Sequence, residues 1–298
     1  MRGSDRLAPL TPLTFSSGMI TMQQQHIGVF DSGVGGLTVL QALRHTLPGE
    51  SILYFGDTAR LPYGNRTPEE IIQFVWEILT WMMAENAKMV IMACNTSSAL
   101  ALDVVRSEFP VPILGLILPG AKAAVQRGRR VGVMATPATV ASGAYVRAIQ
   151  EVDPTVAVWQ VGCPEFVPLI EGDRLHDPYT QTVAAQYLQP LLDQGIDTLV
   201  YGCTHYPHLA PVLRRLLPPT VRCINPATFV AEAAAQELQA LGLQNPQPHP
   251  QPTRFCVSGD PATFAHLAQK WLGYSLNVEN VHLPAAQIKS VTAQSVDV

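Results

Sequence analysis

Three landmarks of this chain occur twice, in the same order and at nearly the same offset. IGVFDSGVGG (residues 27–36) is an apolar run ending in small and hydroxylated residues, and VGVMATPATV (131–140) repeats that form 104 positions later. AENAKMVIMAC ends at Cys94 and DQGIDTLVYGC at Cys203, 109 positions apart, each preceded by a helix-like stretch and a turn. A further strand-like run follows each cysteine, VPILGL from Val111 and VRCIN from Val221, 110 positions apart. Such ordered repetition implies two related units built on one plan.

The strand-like runs are continuous in Val, Ile, Leu and Met rather than alternating, as expected of strands covered on both faces by helices. Between them lie helical patterns such as residues 68–86, where Ile71, Ile72, Val75, Ile78, Leu79 and Met82 recur at helical spacing. The expected fold is α/β: two pseudo-symmetric domains with largely parallel sheets and the active site in the cleft between them. A helix over 228–241, a Pro/Gln-rich link over 244–254, a strand at FCVSG and a helix over 261–272 complete the pattern. These later elements are expected to return to the first unit. That places the first domain at 26–117 and 227–285, the second at 118–226, and a tail at 286–298.

Sheets of this kind hold their chemistry beyond the carboxyl ends of the strands. Cys94 and Cys203 both fall there, as do Asp31 and Ser32 in the first unit and Thr136 in the second. Each cysteine leads a polar cluster, Asn95, Thr96 and Ser97 in one case and Thr204 and His205 in the other. Buried cysteine is usually packing, and Cys163, Cys223 and Cys256 are read that way. Two thiols at equivalent places in a repeat point instead to paired chemistry.

Composition narrows that chemistry. The 298 residues carry a formal net charge of -4 and a pI near 6.0, with no basic cluster, so nucleic acid is not expected as a main partner. No apolar run approaches the roughly 20 residues of a membrane span. Residues 1–25 mix Pro, Ser and Gln without a signal-peptide centre and read as a disordered leader, with Met19 or Met22 as alternative starts. Five widely spaced cysteines without a C-x-x-C pair suit reduced thiols in a cytoplasm.

Several readings compete at the paired thiols. Zinc held by Cys203, His205 and Asp31 has no local ligand spacing behind it, and no metal is expected. A cysteine hydrolase leaves the second thiol without work, and a reversible Cys94–Cys203 disulfide leaves the surrounding hydroxyls and carboxylates without work. DSGVGG invites a phosphate-loop reading but lacks the Gly-Lys-Ser/Thr ending of a P-loop and the third glycine of a dinucleotide fingerprint, which leaves a carboxylate-binding turn or a plain tight turn. A two-domain protein that closes on a dicarboxylate without turnover explains the cleft but not the matched thiols.

Two opposed thiols do suit the inversion of a carbon acid. One thiolate removes the proton and the other thiol returns one to the opposite face, and cysteine's pKa of about 8.5 keeps both states within reach. Asn95, Thr96, Thr204 and Ser32 are the available donors for the developing charge, and Asp31 and His205 are candidates to orient the thiols or carry their protons. A pyridoxal mechanism would need a lysine beside a phosphate cradle. None of Lys88, Lys122, Lys270 and Lys289 is so placed, and no cofactor is expected.

Over residues 27–241 the ordered set IGVFDSGVGG, YFGDTARLPYG, ACNTSSA, GVMATPATV, CPEFVPLIE and GCTHYPHL resembles the cofactor-independent aspartate/glutamate racemase family, on its glutamate-specific branch. The resemblance implies Cys94 as the base acting on D-glutamate and Cys203 as the base acting on L-glutamate. Asp31 and His205 would assist them, with Glu171 helping on the second side. It implies glutamate held by Asp31, Ser32, Tyr63, Gly64, Asn95, Thr96, Thr204 and His205, with Thr136 as a further contact. GCTHYP, with His205 where aspartate-specific relatives usually carry glutamate, favours glutamate over aspartate. The resemblance also implies a cytoplasmic homodimer that supplies D-glutamate for peptidoglycan.

Overall fold

The computed structural model describes residues 22–247 and 250–284, and the strands fall into two separate sheets. In the first half of the chain β1 (His26–Asp31), β2 (Ile52–Gly56), β3 (Ala87–Met92) and β4 (Ile113–Gly115) alternate with α1 (Leu37–Thr46), α2 (Pro68–Ala84) and α3 (Asn95–Val105). After α4 (Ile117–Arg127) come β5 (Arg130–Ala135), α5 (Pro137–Ser142), α6 (Ala144–Val152), β6 (Ala157–Gly162), α7 (Phe166–Glu171) and α8 (Pro178–Asp193). The second half closes with β7 (Thr198–Gly202), a 3-10 turn (Tyr206–Leu209), α9 (Ala210–Leu216) and β8 (Arg222–Ile224). The chain then runs through α10 (Pro226–Ala240), β9 (Arg254–Val257), α11 (Pro261–Leu272) and β10 (Val278–Asn280).

Every strand pairing in both sheets is parallel. The first sheet has the order β10-β9-β2-β1-β3-β4 and the second β6-β5-β7-β8. The run β2-β1-β3-β4 is therefore reproduced by β6-β5-β7-β8, strand for strand, and the repeat seen in the sequence is a repeat of topology. The two added strands, β9 and β10, lie at the edge of the first sheet, beside β2.

Each sheet carries a separate hydrophobic core on each face. This double covering explains the unbroken apolar strands: all six residues of β3 and all five of β7 are buried. Local signals place the helices. Thr67 and Glu70 form a reciprocal capping box at the start of α2, with Pro68 in its first turn, and the helix buries Ile71, Val75, Ile78, Leu79 and Met82. It ends at Ala84, short of the expected 86, because Asn86 turns into the left-handed region at φ 58°.

Of the leader expected over 1–25, residues 1–21 lie outside the described residues, and residues 22–25 belong to the fold. Met22–Gln24 forms a 3-10 turn whose Gln23 carbonyl accepts from the buried Lys88 ammonium at 2.6 Å. Lys88 also meets Glu50 at 2.6 Å and the Leu243 carbonyl at 2.8 Å, which ties three distant segments to the amino end of β3. The Pro/Gln-rich link is likewise anchored, since the amides of Asn245 and Gln251 donate to Glu50 and Ser51. Strand β10 escaped the sequence reading because VEN has no apolar run. The tail expected at 286–298 lies outside the described residues, among which no helix is long and apolar enough to cross a membrane.

Candidate active site

In each unit the chain leaves the first strand toward one side and later crosses to the other, so the order reverses between β1 and β3 and again between β5 and β7. At such a switch point the loops beyond the two strands diverge and leave a crevice. Asp31 ends β1 and Cys94 follows β3, whereas Thr136 follows β5 and Cys203 follows β7. The two crevices merge into one cavity of about 330 Å³. The first unit lines it with Asp31, Ser32, Tyr63, Gly64, Cys94, Asn95 and Thr96, and the second with Thr136, Glu171, Cys203, Thr204 and His205. All twelve residues singled out from the sequence thus reach a single space.

The glycine turn does bind a carboxylate, and that carboxylate is its own. Asp31 Oδ2 accepts the amides of Gly33 (3.1 Å) and Gly36 (2.8 Å), so the loop's donors are spent on holding Asp31 rather than an outside anion. Gly36 permits this, since a Cβ there would lie 2.6 Å from that of Asp31. The second oxygen, Asp31 Oδ1, is buried without a hydrogen-bond partner, and so is the amide nitrogen Nδ2 of Asn95. An acceptor and a donor, both desolvated and unpaired, border the same cavity, a costly arrangement unless a ligand completes it.

The two thiols sit in unlike surroundings. Burial, reinforced by the charge of Asp31, pushes the Cys94 thiol up to about 12, with the amide and hydroxyl of Ser97 partly offsetting the shift. Burial likewise raises Asp31, against the charge of His205 and the loop amides. On the other side Cys203 Sγ lies 3.7 Å from His205 Nδ1, and His205 Nε2 lies 2.9 Å from Glu171 Oε1. Burial alone would strip the proton from His205, but its hydrogen bonds to Cys203 and Glu171 outweigh that cost and raise it to about 10. The imidazole therefore holds a proton at neutral pH. Glu171 closes this chain of groups with its side chain 27% exposed.

Hydroxyls divide into those that serve the backbone and those that face the cavity. Ser98 donates to the carbonyls of Met92 and Cys94 and accepts from Leu116 N, locking the start of α3 to β3 and β4. Thr96, Thr136 and Thr139 form a triangle of hydroxyl contacts at 2.9 to 3.3 Å that joins the two units. Tyr145 crosses the same boundary and donates to Asn95 Oδ1 at 2.7 Å, which turns Asn95's amide nitrogen into its remaining polar group. The hydroxyl of Tyr63 donates to buried Asp57.

Sequence reasoning missed Thr139 and Tyr145, whose partners lie 43 and 50 positions away in the other unit. It also read Cys163 as packing alone. Cys163 is buried and its thiol contacts the Val161 carbonyl at 3.5 Å, but it also lines the cavity wall, as do Leu61, Pro62 and Asn65 beside Tyr63. Leu61 and Pro62 belong to the LPYG motif and Asn65 follows it, which was the signal available. All five cysteines are free thiols.

Comparisons with known proteins converge on racemases. The sequence profile of the Asp/Glu/hydantoin racemase family matches residues 27–234. The glutamate racemase of Rippkaea orientalis is 61% identical over 280 residues, which is 94% of this chain and 99% of that protein. Among solved structures, a glutamate racemase isoform from Bacillus anthracis superposes with a TM-score of 0.85 at 36% identity, covering 89% of this chain and all of its own. The glutamate racemase of Francisella tularensis, solved with D-glutamate, gives 0.84 at 34% identity over 89% of this chain and 100% of that one.

Proposed function

This chain belongs to the Asp/Glu/hydantoin racemase family, and we propose that it interconverts L- and D-glutamate without a cofactor, by a two-base mechanism in which Cys94 and Cys203 act on opposite faces of the substrate. The observation that carries this reading is that two thiols from equivalent strand ends of a structural repeat border one cavity. Among the described residues, those within 26–117 and 227–284 make up the lobe bearing Cys94, and those within 118–226 the lobe bearing Cys203.

In the L-to-D direction Cys203 acts as the thiolate and takes the α-proton of L-glutamate. The electron pair left on the α-carbon spreads into the adjoining carboxylate, and Cys94 gives its proton to the opposite face. The reverse reaction exchanges the two roles. The cost of the carbanion is met by preorganised donors: the Asn95 amide, the hydroxyls of Ser32, Thr96, Thr136 and Thr204, and the amino end of α3, which begins at Asn95. The free oxygen of Asp31 suits the substrate ammonium, and the free Nδ2 of Asn95 suits a carboxylate. His205 and Glu171 carry the proton of Cys203, Asp31 tunes Cys94, and Tyr63 and Gly64 close the cavity wall.

The same reading makes the protein a cytoplasmic homodimer that supplies D-glutamate for peptidoglycan. Its free thiols support a reducing compartment. The deciding experiment incubates purified protein with L-glutamate in heavy water, with no added cofactor, and follows optical rotation and α-deuterium together. Loss of rotation with deuterium in the newly formed D-glutamate is expected. Folded, reduced protein that changes neither would overturn the proposal in favour of a closing binding protein, and faster turnover of aspartate would reassign the substrate.

A further inference from the structure

Trp271, in the last turn of α11, belongs to the part of the chain that returns to the first sheet, but its side chain reaches the second unit. Its ring centroid lies 3.9 Å from that of His208 and 5.6 Å from that of His205, which it meets edge to face at 87°. The turn that carries it is held from both sides. Gln41 Nε2 of α1 donates to the Trp271 carbonyl at 3.1 Å, and Lys270 Nζ lies 3.1 Å from Asp173 Oδ2, just beyond Glu171.

His205 is confined on another side by Gly35 of the first unit, where an added Cβ would lie 2.4 Å from Nδ1 of the imidazole. A residue of the second unit therefore occupies a slot whose walls, Gly35 and Trp271, come from the first. His208 packs against Trp271, tilted by 39°, as a neutral ring, since burial and the charge on His205 lower it to about 4. Water in place of the indole would compete for both nitrogens of His205, whereas an aromatic ring packs on the imidazole and leaves Nδ1 to Cys203 and Nε2 to Glu171.

We propose that Trp271 is a positioning residue for the Cys203 side of the reaction: by seating α11 on the second unit it holds the His205 imidazole in line between Cys203 and Glu171, so this proton route is complete only when the two units are closed on each other. The inference rests on the reading of Cys203, His205 and Glu171 as a proton route given above.

The test compares W271A and W271F with the wild-type full-length protein, each checked for folding by circular dichroism. In W271A kcat should fall about 100-fold through misplacement of the imidazole, with KM within about threefold, and W271F should recover most of the loss. The slowed step should be the one at Cys203, so the primary isotope effect in W271A should be larger with α-deuterated L-glutamate than with the D-enantiomer. Independently of activity, the imidazole N–H of His205 bonded to Glu171, assigned by its loss in H205N, should give a protected downfield proton resonance in wild type and W271F but not in W271A. Retention of that resonance in W271A, or a loss of kcat with equal isotope effects from both enantiomers, would overturn the proposal. Should W271A not fold, W271L carries the same expectation. Wild-type protein inactive on every amino acid would refute the racemase reading, and the resonance would still decide the role of Trp271.

Discussion

The half of the molecule that carries Cys94 and the half that carries Cys203 share a strand order and a thiol at the same strand end, but they surround that thiol with different groups. Cys94 is enclosed with the buried carboxyl of Asp31, whose exposure is 1%, and its thiol is driven upward. Cys203 opens through His205 to Glu171 at the rim. A two-base reaction needs one acid and one base at any instant, and a pair of identical environments would supply neither by preference. The repeated topology thus accounts for the placement of the thiols, and the different residues beside them give the unlike surroundings that the proposed division of labour requires.

The sharpest way to break this comparison is to remove one thiol at a time. C94A and C203A should each lose racemisation by about 10⁴-fold, near the upper range for acid–base groups. Hydrogen exchange should then separate the halves: C94A should wash solvent deuterium into L-glutamate without inverting it, because the route through His205 and Glu171 reaches solvent. C203A should exchange D-glutamate far more slowly, since Cys94 has no such route. Proton NMR of the α-position in heavy water reads both, and equal exchange rates in the two variants would dissolve the asymmetry.

A smaller effect tests the assisting groups. H205N and D31N should each lower kcat/KM by about 100-fold. That loss must be the same in both directions, because the enantiomers are equal in energy. The isotope effect need not be the same: H205N should express it with α-deuterated L-glutamate and suppress it with the D-form, and D31N should do the reverse. An H205N enzyme with equal isotope effects would show that His205 does not serve one side alone.

The smallest effect concerns thiol reactivity without substrate. With its thiol raised to about 12, Cys94 should resist alkylation at pH 8 and react faster as the pH rises, because the thiolate is the nucleophile. Removing the neighbouring charge in D31N lowers the thiol toward its ordinary value and enlarges its thiolate fraction, so alkylation of Cys94 at pH 8 should speed up by about tenfold. Mass spectrometry of the cysteine-containing peptides follows each thiol separately. Unchanged labelling of Cys94 would remove Asp31 as its electrostatic partner.

Much of this protein was legible in its chain. The repeated landmarks, the unbroken apolar strands and the positions of Cys94 and Cys203 after strand-like runs are properties of local pattern and spacing, and largely parallel sheets follow from them, whereas the strand order that sets the switch points does not. The resemblance of its motifs, rather than periodicity, brought Glu171, Tyr63 and Gly64 to the site. Contacts made across the two units were beyond reach. Tyr145 on Asn95, the threonine triangle, and Gly35 and Trp271 against His205 depend on how two separately folded sheets face each other, and no local propensity encodes that. The glycine turn was legible as a carboxylate cradle but not as one filled by Asp31. The acidity of Cys94 too belongs to the tertiary structure: a cysteine is the same residue wherever it stands in the sequence, and only the burial and the Asp31 charge that folding brings to this thiol drive it upward.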